Sequence, residues 1–170
     1  MLDLLRTRRS IRAFDARPVA PELVAALKEA VLRAPSSRSL NPWHFLFVTN
    51  TSLLATLATC KPHGAGFLKN APLGVVVCAD PSLCDVWVED ASIASLILHL
   101  TAHSLGLGSC WIQVRKRMHE QGAPASDYIK QVLDLPDHLE VESIIAMGYP
   151  KESPKGHPKE SLLWDRIEER

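Results

Sequence analysis

The chain carries no net charge: its 170 residues hold 19 lysines and arginines against 19 aspartates and glutamates. A balanced surface excludes the bulk attraction to nucleic acid or to anionic membranes that a basic domain shows. No apolar run approaches the roughly 18 residues of a membrane span. The longest candidate, from Ile93 to Leu107, is broken by Ser95, His99, Thr101, His103 and Ser104. An apolar core of the secretory type is missing near the N-terminus. The four cysteines (Cys60, Cys78, Cys84, Cys110) form no C-x-x-C pair, which argues against a zinc site or a redox dithiol. Together these absences point to a reducing, cytoplasmic setting. Seven histidines show no H-E-x-x-H or comparable spacing; His99 and His103 lie four apart with no third ligand nearby, so no metal is expected. There is no G-x-S-x-G elbow and no carboxylate that stands out as its partner. Glu89-Asp90, at the start of an expected helix, fits a favourable interaction with the helix dipole.

What is present is a local concentration of arginine. Five fall in the first seventeen residues, four of them in the run Arg6-Thr7-Arg8-Arg9-Ser10-Ile11-Arg12. Arginine presents a planar fork of donors that matches phosphate oxygens and stays charged at any working pH. A solvated surface and a nucleic-acid arm are the competing explanations. Ile11 and Phe14 interleave the charges, and Pro18-Val19 and a helix signal follow at once, so the run belongs to the fold.

The pattern predicts helices over 21–32, 52–59, 87–105 and 125–133, and strands over 44–49, 73–79, 109–114 and 141–147. Pro35-Ser36-Ser37-Arg38-Ser39-Leu40-Asn41-Pro42 reads as a loop, and 61–72 as a long connection. Leu73 to Ala79 is apolar throughout, as a strand covered on both faces requires. The helix from Trp87 is apolar almost all round, which places it centrally, with Ile93, Leu96, Ile97, Leu100 and Ser104 tracing one face. Gly106 stops it. Gly106-Leu107-Gly108 precedes a strand, so it is no dinucleotide turn; it serves a helix stop or the close approach of a flat ligand. From Pro150 the chain loses its pattern, yet Leu162, Leu163, Trp164 and Ile167 give the tail something to bury. The length suits one domain, 1–170, of α+β or α/β class.

Phosphate-binding arginines, a polar serine loop and a glycine turn, with no catalytic acid, base or nucleophile, suit an enzyme whose chemistry belongs to a cofactor. Four segments in order resemble the nitroreductase family of flavoproteins: Arg8-Arg9-Ser10-Ile11-Arg12-Ala13-Phe14 with Pro18-Val19; Ala34 to Phe45; Glu89 to Ala94 running into Gly106-Leu107-Gly108-Ser109-Cys110-Trp111-Ile112; and Gly148-Tyr149-Pro150 with the basic tail. The resemblance implies an α+β fold, a central, mostly antiparallel sheet flanked by helices, in an intertwined homodimer whose swapped tail, 150–170, packs on the partner subunit. It implies bound FMN, with NAD(P)H as electron donor and a nitroaromatic, quinone or similar small molecule as acceptor in ping-pong turnover. Arg8, Arg9, Ser10 and Arg12 would hold the phosphate and ribityl chain. Pro35, Ser36, Ser37, Ser39 and Asn41 would reach the flavin from the partner, Asn41 standing where the family has Gln. The Gly106-Leu107-Gly108-Ser109 backbone would run along the ring, and Lys155, His157 or Lys159 would add a phosphate contact. The only cover over the flavin would be the segment from His119 to Leu135. A flavin-sequestering protein without turnover would use the same contacts.

Overall fold

The computed structural model describes residues 1–120 and 122–170. Gln121, inside the expected covering segment, lies outside the described residues. The elements run α1 (Leu2–Thr7), α2 (Pro21–Leu32), β1 (Trp43–Val48), α3 (Thr51–Leu57), β2 (Leu73–Ala79), α4 (Trp87–Ser104), β3 (Gly108–Gln113), α5 (Ala125–Leu133) and β4 (Glu140–Gly148). The four strands form one antiparallel sheet in the order β1-β2-β4-β3. The class is therefore α+β, as the resemblance implies.

Two hydrophobic layers cover this sheet. One joins Leu73, Val75, Val77, Ile145 and Met147 to α2 and α4. The other joins Val76, Cys78, Ile144, Ala146 and Ile112 to α3, α5 and Leu68. Every residue of β2 is buried as a result, which explains its unbroken apolar sequence. At the other extreme, β3 is an edge strand with a free side.

Two expectations change. First, α1 was not foreseen: it buries none of its residues, so no apolar periodicity announces it. A short 3-10 turn, Gly66–Asn70, also interrupts the expected connection 61–72. Second, α4 does not bury the stripe of large residues. Its sheet-facing side is Ala91, Ala94, Ser95, Leu98 and Ala102, while Ile93 and Leu96 are 41% and 50% exposed. Small side chains let the helix lie close on the sheet, and the bulky ones remain outside. The start of the tail lies along the N-terminal segment of its own chain: the Lys151 N–H donates to the Ala13 carbonyl at 2.9 Å. Farther along, Leu162, Leu163, Trp164 and Ile167 are all exposed. Among the described residues no helix is long and apolar enough to cross a membrane.

Candidate functional site

The arginine run is laid out by the end of α1. Arg8 leaves the helix in an extended conformation (φ −62°, ψ 130°), and the chain then follows the free side of β3. Ser10 forms a parallel bridge with Ser109, and the Ile11 N–H donates to the Ser109 carbonyl at 3.0 Å. Alternation in an extended segment separates the side chains into two sets. Ile11 is buried and rests on Gly108, where a Cβ would lie 2.7 Å from it. Arg9, in the same set, donates to the Lys155 carbonyl in the tail. Arg8, Ser10 and Arg12 share the opposite side, and the Arg12 guanidinium sits 5.8 Å from the Phe67 ring centroid. Of the expected clamp, then, Arg9 serves the tail and the other three face one direction.

The glycine turn is accounted for by the helix end. Gly106 has φ +76°; its N–H donates to the His103 carbonyl (3.1 Å) and that of Leu107 to Ala102 (2.8 Å), the paired bonds of a Schellman motif. Those two N–H groups are engaged within the chain. The donors that face outward lie farther along. Because the Ser109 carbonyl points to Ile11, alternation in an antiparallel ladder turns the N–H and C=O of Trp111 and Gln113 away from β4 as well. Sequence reasoning had no way to find them, since an edge N–H carries no residue-type signal.

Beneath the clamp lies a buried histidine. His99 Nδ1 shares a 2.8 Å hydrogen bond with Ser109 Oγ, and its ring stacks on Trp111 (centroids 6.3 Å apart, 22° between planes). Burial, and secondarily the neighbouring Arg8 charge, lower its pKa to about 4, so the ring is neutral at physiological pH. His103 Nε2 pairs with Thr7 Oγ1 at 2.8 Å. The two histidines thus have separate hydroxyl partners, and among the described residues no group of three or more His, Cys, Asp or Glu could hold a metal ion.

The serine loop sits at the other end of α4. Ser36 Oγ donates to Asn41 Oδ1 (2.7 Å) and accepts from the Asn41 N–H (2.9 Å), closing the loop on itself. Arg38, Ser39 and Asn41 all have positive φ (51°, 55° and 49°). Asp90 holds this shape: its Oδ1 accepts the Ser37 N–H at 2.8 Å and its Oδ2 the Cys84 thiol at 3.4 Å, and the residue is only 3% exposed. Sequence reasoning assigned Asp90 to the helix dipole; the only further signal was its position in the first helical turn. Pro35 precedes the loop and is exposed. Asp90 and His103 are 13 residues apart on α4, about 20 Å along the axis at 1.5 Å per residue. One chain does not bring its serine loop to its arginine clamp.

The tail does reach the clamp. Glu152 Oε1 accepts the backbone N–H groups of Arg12 and Ala13. Gly156 passes so close to the Arg6 carbonyl that a Cβ there would collide with it. His157, Lys159 and Arg8 then line one cavity of about 640 Å³ with Leu2, Leu5 and Trp164. Lys155 contributes its carbonyl to Arg9.

An antiparallel α+β sheet with a basic clamp on its free edge defines a class of protein, and comparison with known sequences and structures places the chain within it. The nitroreductase family model matches residues 5–60 and 58–149. A relative from Methanothermobacter thermautotrophicus, provisionally named an NADH dehydrogenase/NAD(P)H nitroreductase, is 38% identical over 160 residues, covering 91% of this chain and 79% of its own. An FMN-dependent nitroreductase from Clostridium difficile R20291 superposes with a TM-score of 0.97 at 43% identity, over 99% of this chain and 98% of that one. A Desulfovibrio desulfuricans protein, provisionally a nitroreductase and solved in complex with FMN, gives 0.80 at 25% identity over 99% and 95%. The chain belongs to the nitroreductase family.

Proposed function

We propose that the protein is an FMN-dependent NAD(P)H oxidoreductase, built as a homodimer with two flavin sites, that reduces small acceptors such as nitroaromatics or quinones. The observation that carries this reading is Arg8 beside His157 and Lys159, with Ser10 and Arg12 on the same side of the extended segment. That donor set fits a phosphate dianion: two guanidinium forks, a hydroxyl and flanking basic groups. The outward N–H groups of Trp111 and Gln113 fit the polar rim of a flat ring laid along the same edge.

FMN, once bound, would supply hydride-transfer chemistry between the two substrates. The chain's own residues bind and orient. Arg8 and Arg12 neutralise the phosphate. Neutral His99 supports Ser109 from below without adding charge beside Arg8. The serine loop, held about 20 Å away in its own subunit, completes the site of the partner, and the exposed Ile93, Leu96 and tail residues supply apolar surface for that association.

A visible spectrum tests the reading. The purified protein should be yellow, and NADH or NADPH should bleach it. Colourless protein that also rejects added FMN overturns the proposal. Flavin that binds but is not bleached at a catalytic rate assigns the protein to flavin sequestration.

A further inference from the structure

Away from the phosphate-facing cluster of Arg8, His157 and Lys159, three cations converge on a second cavity. It measures about 480 Å³ and is lined by Arg12, Lys69 and Lys151, with Thr51, Asn70 and Phe14 among the remaining wall. None of its lining residues is an aspartate or glutamate. The topology makes the site. Lys69 and Asn70 stand just before β2, Lys151 just after β4, and Thr51 opens α3 immediately beyond β1. The registers Val48↔Gly74 and Leu73↔Met147 put those three strand ends on one border of the sheet. Phe14 bridges to Pro150 and closes the border from the N-terminal side. Gly148 lets Pro72 and Phe14 pack there, since a Cβ would come within 2.6 Å of the proline ring.

The three cations at this cavity have no carboxylate partner among the described residues. Elsewhere Arg6 pairs with Asp3, Arg33 with Glu29, Arg38 with Asp85, and Lys130 with Asp127 and Glu140. Among the described residues, Arg12, Lys69 and Lys151 enter no ion pair within 4.0 Å. Glu152 is the nearby carboxylate, and its Oε1 is directed at the backbone N–H groups of Arg12 and Ala13. Lys69 and Lys151, which take no part in the flavin clamp, together with Arg12 at its border, a hydroxyl and an amide, present donors to an anion with several oxygens.

We infer that this cavity is a second anion site and that its ligand carries a phosphate group. The phosphate belongs either to the electron-donor nucleotide or to a free phosphorylated compound. Only the first source rests on the proposed function; the site itself does not.

The experiment is calorimetric titration of FMN-loaded protein, its clamp thus filled, with inorganic phosphate and with adenosine 2′,5′-bisphosphate. The comparison is the double variant Lys69→Gln/Lys151→Gln, which leaves Arg8, Ser10 and Arg12 in place. Wild type should bind one probe per chain, more weakly as salt rises. The variant should bind roughly tenfold or more weaker, because charge-assisted hydrogen bonds are lost, with its flavin absorbance unchanged. A raised KM for NADPH but not NADH in the variant identifies the donor nucleotide as the source. Loss of probe binding with both KM values unchanged identifies a free phosphorylated ligand. No binding to FMN-loaded wild type, or equal binding to the variant, overturns the site. If the protein takes up no flavin, the proposed function fails, and the same two titrations on the flavin-free chain still decide the cavity by the contrast between wild type and variant.

Discussion

At the N-terminal end of α4 a buried carboxylate, Asp90, fixes the backbone of the serine loop, and a second acid, Asp85, pairs with Arg38 on its surface. At the C-terminal end Arg8 lies near a neutral histidine and Arg12 over an aromatic ring, and the nearby acid, Glu152, is turned onto backbone N–H groups. The loop end satisfies its hydrogen bonds internally and gains a fixed shape. The clamp end leaves charged donors facing outward. A preformed surface and an open set of cations are complementary parts of a binding site, yet a single chain keeps them about 20 Å apart along one rigid helix. The same helix leaves Ile93 and Leu96 uncovered between them. Under the proposed function, the contrast is that of two halves of a site that two chains complete.

The largest effect should come from emptying the clamp. Arg8→Gln with Arg12→Gln should weaken FMN binding by about a hundredfold or more, since two charge-assisted contacts are lost, as read by flavin fluorescence quenching. Mixing then tests the two-chain arrangement. Co-expression with a chain whose residues 36–41 are replaced by a Gly-Ser linker should restore about a quarter of the flavin sites, because half the dimers are hybrids with one intact site each. Recovery of none would show that each chain builds its site alone.

Next in size is the buried histidine at the clamp end. His99 has its pKa lowered from 6.5 to about 4 in the folded chain. The unfolded chain therefore binds the extra proton across that window, and stability rises with pH there. The contribution is complete above about 6.5 and is lost as pH falls toward 4, a difference of about 3 kcal/mol at 1.36 kcal/mol per pK unit. Urea midpoints measured from pH 4 to 7 should show this slope, and His99→Gln should flatten it. An unchanged slope in the variant would place the acid sensitivity elsewhere.

Sequence alone carried the two ends unequally. The arginine run was legible as a phosphate-binding candidate because arginine and serine in a short extended run suggest phosphate chemistry by residue type. The strands were legible for a similar reason: β2 is covered on both faces and reads as unbroken apolar sequence. Gly106 was legible as a helix stop. For Gly108 two readings stood open, a structural turn or a ligand's approach, and in the structure Ile11 occupies the space above it, a contact between residues far apart in the chain. The buried face of α4 was misjudged because large side chains dominate a hydrophobicity pattern, whereas close packing selects the small ones. The outward N–H groups of Trp111 and Gln113 depend on ladder geometry, which no residue type reports. The cations at Lys69 and Lys151 become neighbours only once the ends of β2 and β4 are aligned.

Asp90 offers the finest cut between the two ends. Its carboxylate accepts one backbone N–H from the loop and one thiol from the turn before α4, so it acts on shape and touches no arginine. Asp90→Ala leaves the half-buried Ser37 N–H without its partner and should cost about 1–2 kcal/mol of stability. The cost should be local: amide exchange at Ser37 and its neighbours should speed up, while exchange along β3 stays unchanged. Flavin affinity should fall severalfold, since the loop must then be ordered at the moment of binding. Asp90→Asn keeps one acceptor and should recover most of the protection at Ser37. If Asp90→Ala instead loosened β3 or released Arg8 from its place, α4 would be transmitting strain from end to end, and the two halves would not be independent parts.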